Sequence, residues 1–145
     1  MVEKKPLSGI IPPLVTPLKN NETLDVESLE SLVEHLIAGG VHGLFILGTT
    51  GEEQSLSYAV RKEMIVQAAR INHGRLPLLV CVSDTSIVES IRLARVAADN
   101  GADGVVSAPT IISPQDSPSW HSSMRSWCRS CLCPCSFITC RVTLR

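Results

Sequence analysis

The sequence lacks several features that would place it in a specialised class of protein. Its formal net charge is −1 over 145 residues, so it has no charge excess that would draw it to nucleic acid or to an anionic membrane. No apolar run approaches the roughly 20 residues of a membrane-spanning helix. The opening M-V-E-K-K-P also lacks the apolar segment of a signal peptide. We therefore expect a cytoplasmic protein that binds neither nucleic acid nor membranes.

Lysine, tyrosine and acidic residues are missing from long parts of the chain. No lysine follows Lys62, the single tyrosine is Tyr58, and no acidic residue follows Asp116. The last 18 residues instead hold five of the six cysteines, namely Cys128, Cys131, Cys133, Cys135 and Cys140. Because the composition changes abruptly near Gln115, we divide the chain into residues 1–114 and a Cys-rich tail, residues 115–145.

Residues 1–114 alternate between apolar runs and amphipathic helical patterns. The predicted strands cover residues 9–15, 43–47, 77–82 and 104–107. The predicted helices begin at Asp25, at Ser57 and at Thr85 or Ser86, and the first ends at Gly39-Gly40. Their apolar stripes are Leu29, Leu32, Val33, Leu36 and Ile37, then Val60, Met64, Ile65, Ala68 and Ala69, then Ile87, Val88, Ile91, Ala94 and Arg95. This alternation predicts a parallel sheet covered by helices, of which a doubly wound domain is the simplest form.

The most informative stretch is G-T-T-G-E at residues 48–52, directly after a predicted strand. Two glycines around two hydroxyl residues predict a tight turn whose backbone N–H groups and threonine Oγ atoms face one point. Such a turn suits a carboxylate or a phosphate, because an anion needs several convergent donors. The alternative is a plain connection in which Thr49 and Thr50 cap the next helix.

Together with V-T-P-L at residues 15–18, this turn resembles the dihydrodipicolinate synthase and N-acetylneuraminate lyase family. The likeness extends in order from Ser8 to Pro114. It implies a (β/α)8 TIM barrel, in which loops at the carboxyl ends of the strands carry the chemistry, and such a barrel needs about 250 residues. Residues 1–114 supply about four strands and three helices. We therefore expect an α/β fold, the N-terminal half of a TIM barrel, followed by an irregular Cys-rich tail.

The resemblance also implies a class I lyase or aldolase that condenses pyruvate with an aldehyde or releases it. In that family a lysine forms a Schiff base with the keto carbon of pyruvate, the imine acts as an electron sink, and a tyrosine shuttles protons. The resemblance makes Thr49 the proton-relay hydroxyl and Thr50 a ligand of the pyruvate carboxylate, on a turn shaped by Gly48 and Gly51. It implies neither a metal nor a cofactor, and it implies that intact relatives are homo-oligomers.

The chain departs from the family where the reaction needs an amine. Lys62 lies on the second predicted helix and is expected to be a solvated surface residue. Lys4, Lys5 and Lys19 lie in the N-terminal segment and the first loop, so none matches the Schiff-base position. Tyr58 stands at a helix start and is expected to pack partly against the sheet. We therefore expect the chain as written to be inactive.

The tail has two interpretations. The pattern C-x2-C-x-C-x-C at residues 128–135 could offer thiolates to Zn²⁺ or Cu⁺, which would make the protein a small metal-binding or interaction module. A structural zinc site usually pairs two such knuckles, however, and only one is present. The interpretation that we favour is out-of-frame translation. One DNA string that encodes residues 132–145 reads, two bases later, as L-P-L-F-L-Y-N-M-P-S-H-T-K, and the family has a similar segment, with its tyrosine, on the fifth strand.

Other polar residues give weaker signals. Glu52 and Glu53 are adjacent and point in different directions, so they make a poor acid–base pair. Cys81 ends an apolar strand and is expected to be an inert core thiol. The stretch S-D-T at residues 83–85 follows the third strand and is explained equally well by a pocket lining and by a helix cap.

Overall fold

A computed structural model describes residues 7–107 and the backbone of residues 136–139. Its strands are β1 Leu18–Lys19, β2 Thr23–Leu24, β3 Leu44–Ile46, β4 Leu78–Cys81, β5 Gly104–Ser107 and β6 Ser136–Thr139. Its helices are α1 Val26–Ala38, α2 Tyr58–Asn72 and α3 Ile87–Asp99, and two short 3-10 turns, Thr49–Gly51 and Glu53–Ser55, connect β3 to α2. The alternation of strands and helices predicted between residues 26 and 107 is therefore confirmed.

The main sheet is parallel, and its strand order, β3-β4-β5-β6, follows the order along the chain. Its register places Ile46 beside Val80 and Val80 beside Val105. Successive strands that are also neighbours are typical of a barrel, whereas a doubly wound sheet reverses its strand order at a switch point. The described strands contain no such reversal, which favours the barrel over the doubly wound alternative.

Residues 9–15 run beside β3 as the irregular first strand that the sequence predicts. A single parallel bridge joins Pro13 to Phe45, and the Leu14 N–H donates to the Phe45 carbonyl at 2.8 Å. Pro12 and Pro13 have no N–H to donate, so the ladder of hydrogen bonds stays incomplete.

The helices begin and end close to the predicted residues. The side chains of Asp25 and Ser57 each accept a first-turn N–H at 3.3 Å, which caps α1 and α2. At the start of α3 the Ser86 side chain makes no capping bond, and Asp84 Oδ1 instead accepts the Ser86 N–H at 2.8 Å. Gly39 ends α1. Local capping thus sets the starts of α1 and α2, and the bond from Ser86 to Asp84 positions the start of α3.

The hydrophobic core lies between the sheet and the three helices. Burying each large apolar side chain contributes about 1.5–3 kcal/mol to the favourable side of folding. The fully buried residues of this core include Leu29 and Val33 of α1, Met64 and Ile65 of α2, Leu93 of α3, and Leu44, Ile46, Leu78 and Val80 of the sheet. This packing fixes the carboxyl ends of β3, β4 and β5 at one edge of the sheet.

The buried face predicted for α3 is partly wrong. Val88 is 52% exposed, and Arg95 is exposed as well. The buried face consists of Ser90, Leu93, Ala94 and Ala97. Serine and alanine are small and only weakly apolar, so the sequence pattern does not distinguish this face clearly from the one beside it.

The tail contains a regular element that the sequence prediction missed. We expected residues 115–145 to be irregular, but β6 pairs in parallel with β5, with Phe137 opposite Val105. Phenylalanine, isoleucine and threonine favour strands, and an open edge of a sheet offers unpaired backbone groups to any such segment. The cysteines at residues 128–135 lie outside the described residues, and the boundary at residue 114 stays a prediction.

A small hairpin precedes α1 and was not predicted either. β1 and β2 are antiparallel, with Leu18 opposite Leu24. Asn20 and Asn21 between them have φ values of 53° and 59°, a region that asparagine tolerates better than most residues. Two-residue strands are too short to show a hydrophobic period, so no pattern announces this hairpin.

Candidate functional site

The candidate site lies at the carboxyl edge of the parallel sheet, where the G-T-T-G-E turn leaves β3. β3 ends at Ile46, and the chain then bends through Leu47 and Gly48 into the 3-10 turn Thr49–Gly51. β3, β4 and β5 are parallel, so the residues that follow β4 lie at the same edge as this turn. In parallel α/β folds this edge carries the chemistry.

Both positions of the turn that hold glycine, Gly48 and Gly51, have neighbouring atoms too close to leave room for a side chain. A Cβ atom on Gly51 would lie 3.0 Å from the Leu14 carbonyl oxygen, which is backbone and cannot easily move. A Cβ atom on Gly48 would lie 2.8 Å from a ring carbon of Phe45. The turn therefore packs directly against the first strand and against β3, and a larger residue at either position would displace it.

A side-chain hydrogen bond joins the two motifs that carry the family resemblance. Thr16 Oγ1, from V-T-P-L, donates to the Gly51 carbonyl at 2.8 Å. The two residues are 35 positions apart in the chain. Sequence reasoning missed this contact, because a threonine in a loop carries no signal of its distant partner.

Thr49 and Thr50 do not cap a helix. Ser57 caps α2, and the 3-10 turn has no side-chain capping bond. Both threonines are exposed, and among the described residues neither their hydroxyls nor their N–H groups donate a hydrogen bond. The turn therefore presents hydroxyl and N–H donors together on its exposed side, which is what an anionic ligand requires.

A buried ion pair lies beside the turn and was not predicted. Arg61 Nη1 donates to Asp84 Oδ2 at 3.0 Å, and the two side chains are only 8% and 5% exposed. The Tyr58 hydroxyl donates to the same Asp84 oxygen at 3.0 Å, which raises the pKa of Tyr58. Its ring centroid lies 4.9 Å from the Arg61 guanidinium carbon. We call these three residues the Arg61 cluster.

The Arg61 cluster changes how two residues are interpreted. We expected Tyr58 to pack partly against the sheet; its side chain is 42% exposed, and its hydroxyl donates to Asp84, which follows β4. Asp84, in the S-D-T stretch, accepts the N–H of Ser86, the N-cap residue of α3, and so positions the start of α3 without capping its first turn. It also balances the charge of a buried arginine, which the sequence does not reveal.

Glu53 is a buried carboxyl group with an unpaired oxygen. It is 4% exposed, and its Oε1 has no hydrogen-bond partner among the described residues. Burial raises the pKa of Glu53, while the Cys81 thiol and the Arg61 charge lower it and Asp84 raises it further. Glu52, in contrast, is exposed, so the prediction that the two adjacent carboxylates point in different directions is confirmed.

Cys81 is an inert core thiol, as predicted. It is 6% exposed, and its Sγ lies 3.2 Å from the Ser83 hydroxyl. Burial is the main cause that raises the pKa of Cys81, and the nearby Glu53 carboxyl adds to it, so that the pKa reaches about 12. A thiol with that pKa stays protonated at neutral pH and is a poor nucleophile.

As the pH rises, the Glu53→Gln variant should become more stable relative to wild type. The folded-state pKa of Glu53 is raised, so ionising this buried carboxyl lowers the stability of the wild-type protein. This loss of stability is absent below the unfolded pKa near 4.5 and grows as the pH rises through the folded pKa. Urea unfolding between about pH 4 and about pH 8 measures the difference between Glu53→Gln and wild type. The exposed Glu52→Gln is the matched control. Parallel curves for wild type and Glu53→Gln would contradict the buried carboxyl.

The described residues include two lysines, Lys19 and Lys62. Lys62 is exposed on α2, as predicted, and Lys19 lies on β1, where its Nζ is 3.3 Å from an Asp25 oxygen. Neither of them follows a strand of the parallel sheet. Lys4 and Lys5 lie outside the described residues.

No cluster of metal-ligating side chains and no membrane-spanning helix is found in the described part of the chain. No group of three or more His, Cys, Asp and Glu side chains there could hold a metal ion. His42 instead accepts the Ile10 N–H at Nδ1, at 3.1 Å. None of the helices between residues 7 and 107 is long and apolar enough to cross a bilayer.

Comparison with known families agrees with this arrangement. A sequence profile described as the Dihydrodipicolinate synthetase family matches residues 6–114. The match covers most of the chain, so the chain belongs to this family. Its members are lyases, among them synthases and aldolases.

Individual relatives match over most of this chain. A 4-hydroxy-tetrahydrodipicolinate synthase from Methanoculleus marisnigri is 38% identical over 108 residues, which are 73% of this chain and 36% of the relative. The structure of a dihydrodipicolinate synthase from Bacteroides thetaiotaomicron is 57% identical with a TM-score of 0.83, over 92% of this chain and 44% of that one.

A third relative has been solved with a small molecule. YagE, a prophage protein of the dihydrodipicolinic acid synthase family from Escherichia coli K12, was crystallised in complex with pyruvate. It is 29% identical with a TM-score of 0.82, over 90% of this chain and 43% of YagE.

These comparisons confirm the family and part of the fold prediction. The structural relatives are TIM barrels, and the α/β sheet of this chain matches part of that barrel. The chain spans less than half of the length of these relatives, between 36% and 44%.

Proposed function

We propose that the turn at residues 48–52 binds the carboxylate of pyruvate or of a related 2-keto acid, within a class I lyase or aldolase. The observation that carries this proposal is the exposed pair Thr49 and Thr50, whose hydroxyl and N–H groups have no partner among the described residues. Further support comes from YagE, a family member crystallised with pyruvate.

Each residue of the turn has a role in this proposal. Thr50 donates to the pyruvate carboxylate together with the backbone N–H groups of the turn. Thr49 relays a proton between a tyrosine and the substrate. Gly48 and Gly51 let the turn pack against Phe45 and Leu14, so the donors are held in place before the ligand arrives.

The reaction itself needs an amine that the described residues do not place at the site. A lysine amine attacks the keto carbon, water leaves, and the resulting imine withdraws electrons from the methyl carbon. That carbon then loses a proton and attacks an aldehyde, or the reverse sequence releases pyruvate. Since no lysine follows Lys62, we propose that this chain binds the keto acid without catalysing the reaction.

The other predicted properties remain predictions. The cytoplasmic location is inferred from the composition and the opening residues, and the assembly of intact relatives into homo-oligomers is inferred from the family. The metal-binding alternative depends on cysteines at residues 128–135, which lie outside the described residues, and no observation in the described part favours it.

Replacing Thr50 with valine should weaken the binding of pyruvate by about tenfold or more. A hydrogen bond to a charged group contributes about 1.5–3 kcal/mol, and valine keeps the shape of threonine without its hydroxyl. A nuclear magnetic resonance titration of the ¹⁵N-labelled chain with pyruvate measures the dissociation constant.

The matched control for this experiment is Thr23→Val, an exposed threonine on β2, which should bind pyruvate as wild type does. Equal affinities of Thr50→Val and wild type would remove Thr50 from the site. A wild-type chain that shows no saturable shifts at Thr49 and Thr50 would contradict the pyruvate site as a whole.

A further inference from the structure

The segment between β3 and α2 cannot hold its conformation by local bonds alone. Its backbone hydrogen bonds, such as Gly51 N–H to Gly48 O at 2.8 Å and Leu56 N–H to Glu53 O at 3.1 Å, close only short turns. Leu47 and Glu52 adopt φ values of 58° and 53°. Left-handed backbone is unfavourable for residues with a Cβ atom and persists where the surroundings enforce it.

Two side chains from outside the segment bond to its backbone. At the Gly51 end Thr16 Oγ1 donates to the carbonyl at 2.8 Å. At the Leu56 end Arg61 Nε donates to the carbonyl at 3.1 Å. Both bonds reach the backbone of residues 48–56 from outside the segment.

Arg61 is itself held in a fixed orientation. Its Nη1 is bonded to Asp84, whose other carboxylate oxygen accepts the Ser86 N–H at 2.8 Å. The Tyr58 ring covers the guanidinium at 4.9 Å. Arg61 thus joins three parts of the site: the end of the 48–56 segment, the end of β4 and the start of α3. The planar guanidinium can make both bonds at once, because its Nε and Nη donors point in fixed, different directions.

We propose that Arg61 is a positioning residue, which holds the 48–56 segment against the end of β4 and thereby keeps Thr49 and Thr50 in their binding geometry. The proposal rests on the proposed function for its effect on pyruvate. Its effect on the segment itself does not depend on pyruvate. Arg61 does not touch the ligand in this scheme, since its side chain is only 8% exposed and its Nε and Nη1 donate to Leu56 and Asp84.

The variant Arg61→Lys separates the two bonds of Arg61. A lysine ammonium can pair with Asp84, but it lacks the second, fixed donor that reaches the Leu56 carbonyl. We expect hydrogen exchange at the Gly51 and Glu52 amides to accelerate by about tenfold, and pyruvate to bind about tenfold more weakly, as for the loss of one charge-assisted hydrogen bond. Exchange in the middle of α1 should stay as in wild type, which distinguishes a positioning role from a general loss of stability.

Arg75→Lys is the matched control. Arg75 also makes a two-pronged pair, with Glu34, but it follows the carboxyl end of α2, away from the turn. It should leave both readouts unchanged. If Arg61→Lys does not fold, the double variant Arg61→Gln with Asp84→Asn, which removes both buried charges, should show the same faster exchange at Gly51 and Glu52.

The outcomes separate the two proposals. Unchanged exchange at Gly51 and Glu52 in the folded variant overturns the positioning role, whatever happens to pyruvate. Faster exchange together with unchanged pyruvate affinity also overturns it, because the segment would then not govern the ligand. If wild type binds no pyruvate, the proposed function is contradicted. If Arg61→Lys then still exchanges faster than wild type at Gly51 and Glu52, the role of Arg61 is limited to holding the segment.

Discussion

Replacing Asp84 with alanine is expected to lower the free energy of unfolding by about 3–5 kcal/mol, because one partner of a buried ion pair is removed. The Arg61 side chain is only 8% exposed and would keep its charge without a counter-charge. Tyr58 and the Ser86 N–H would lose their acceptor at the same time. Urea unfolding followed by circular dichroism at neutral pH measures this loss.

An exposed ion pair provides the matched comparison. Arg75 and Glu34 also form a two-pronged pair, with one bond of 2.9 Å, but their side chains are 38% and 50% exposed. Exposed pairs contribute only about 0–1 kcal/mol, since water screens the charges. Glu34→Ala should therefore cost far less than Asp84→Ala. Equal costs for the two variants would mean that Arg61 and Asp84 are solvated in solution.

The parts of the fold that were predictable are those that depend on nearby residues. Asp25 and Ser57 precede amphipathic stripes by a fixed number of residues, so the starts of α1 and α2 follow from local capping. Ser90 shows where local information fails, because a serine within a helix does not announce that it is buried. β6 was missed because its pairing depends on the open edge of β5, which is distant in the chain.

The candidate site likewise has a part that was predictable from nearby residues and a part that depends on distant ones. Gly48 and Gly51 around two threonines are a local pattern, and they located the turn correctly at a strand end. The partners that hold the turn are distant: Thr16 is 35 positions from Gly51, and Arg61 is 23 positions from Asp84. Arginine and aspartate are usually exposed, so no sequence signal distinguishes this buried pair from surface charges.

The position of β6 bears on the origin of the tail. In the DNA string considered above, the codons of residues 135–138 overlap those for F-L-Y in the shifted frame, and β6 lies at that place beside β5. Phenylalanine and tyrosine favour strands. The shifted peptide would therefore suit the same position and would add the tyrosine that residues 108–145 lack.

Restoring that frame near Gln115 is expected to produce a protein that forms a covalent adduct with pyruvate, whereas the present chain is expected to form none. The imine requires a lysine amine at the site, and a continued reading frame can supply one beyond the fifth strand. Incubation with pyruvate, reduction with borohydride and intact-mass measurement should show one pyruvyl adduct on the restored protein and none on the present chain.

Lys62 provides the decisive control for this experiment, because it is the last lysine of the present chain and lies exposed on α2. Lys62→Arg in the restored protein should leave the adduct in place. A stoichiometric adduct on Lys62 of the present chain would show that an exposed helix residue can serve as the amine. Absence of an adduct on a folded, restored protein would instead contradict the frameshift interpretation of residues 115–145, because the continued frame would then have failed to supply the Schiff-base lysine.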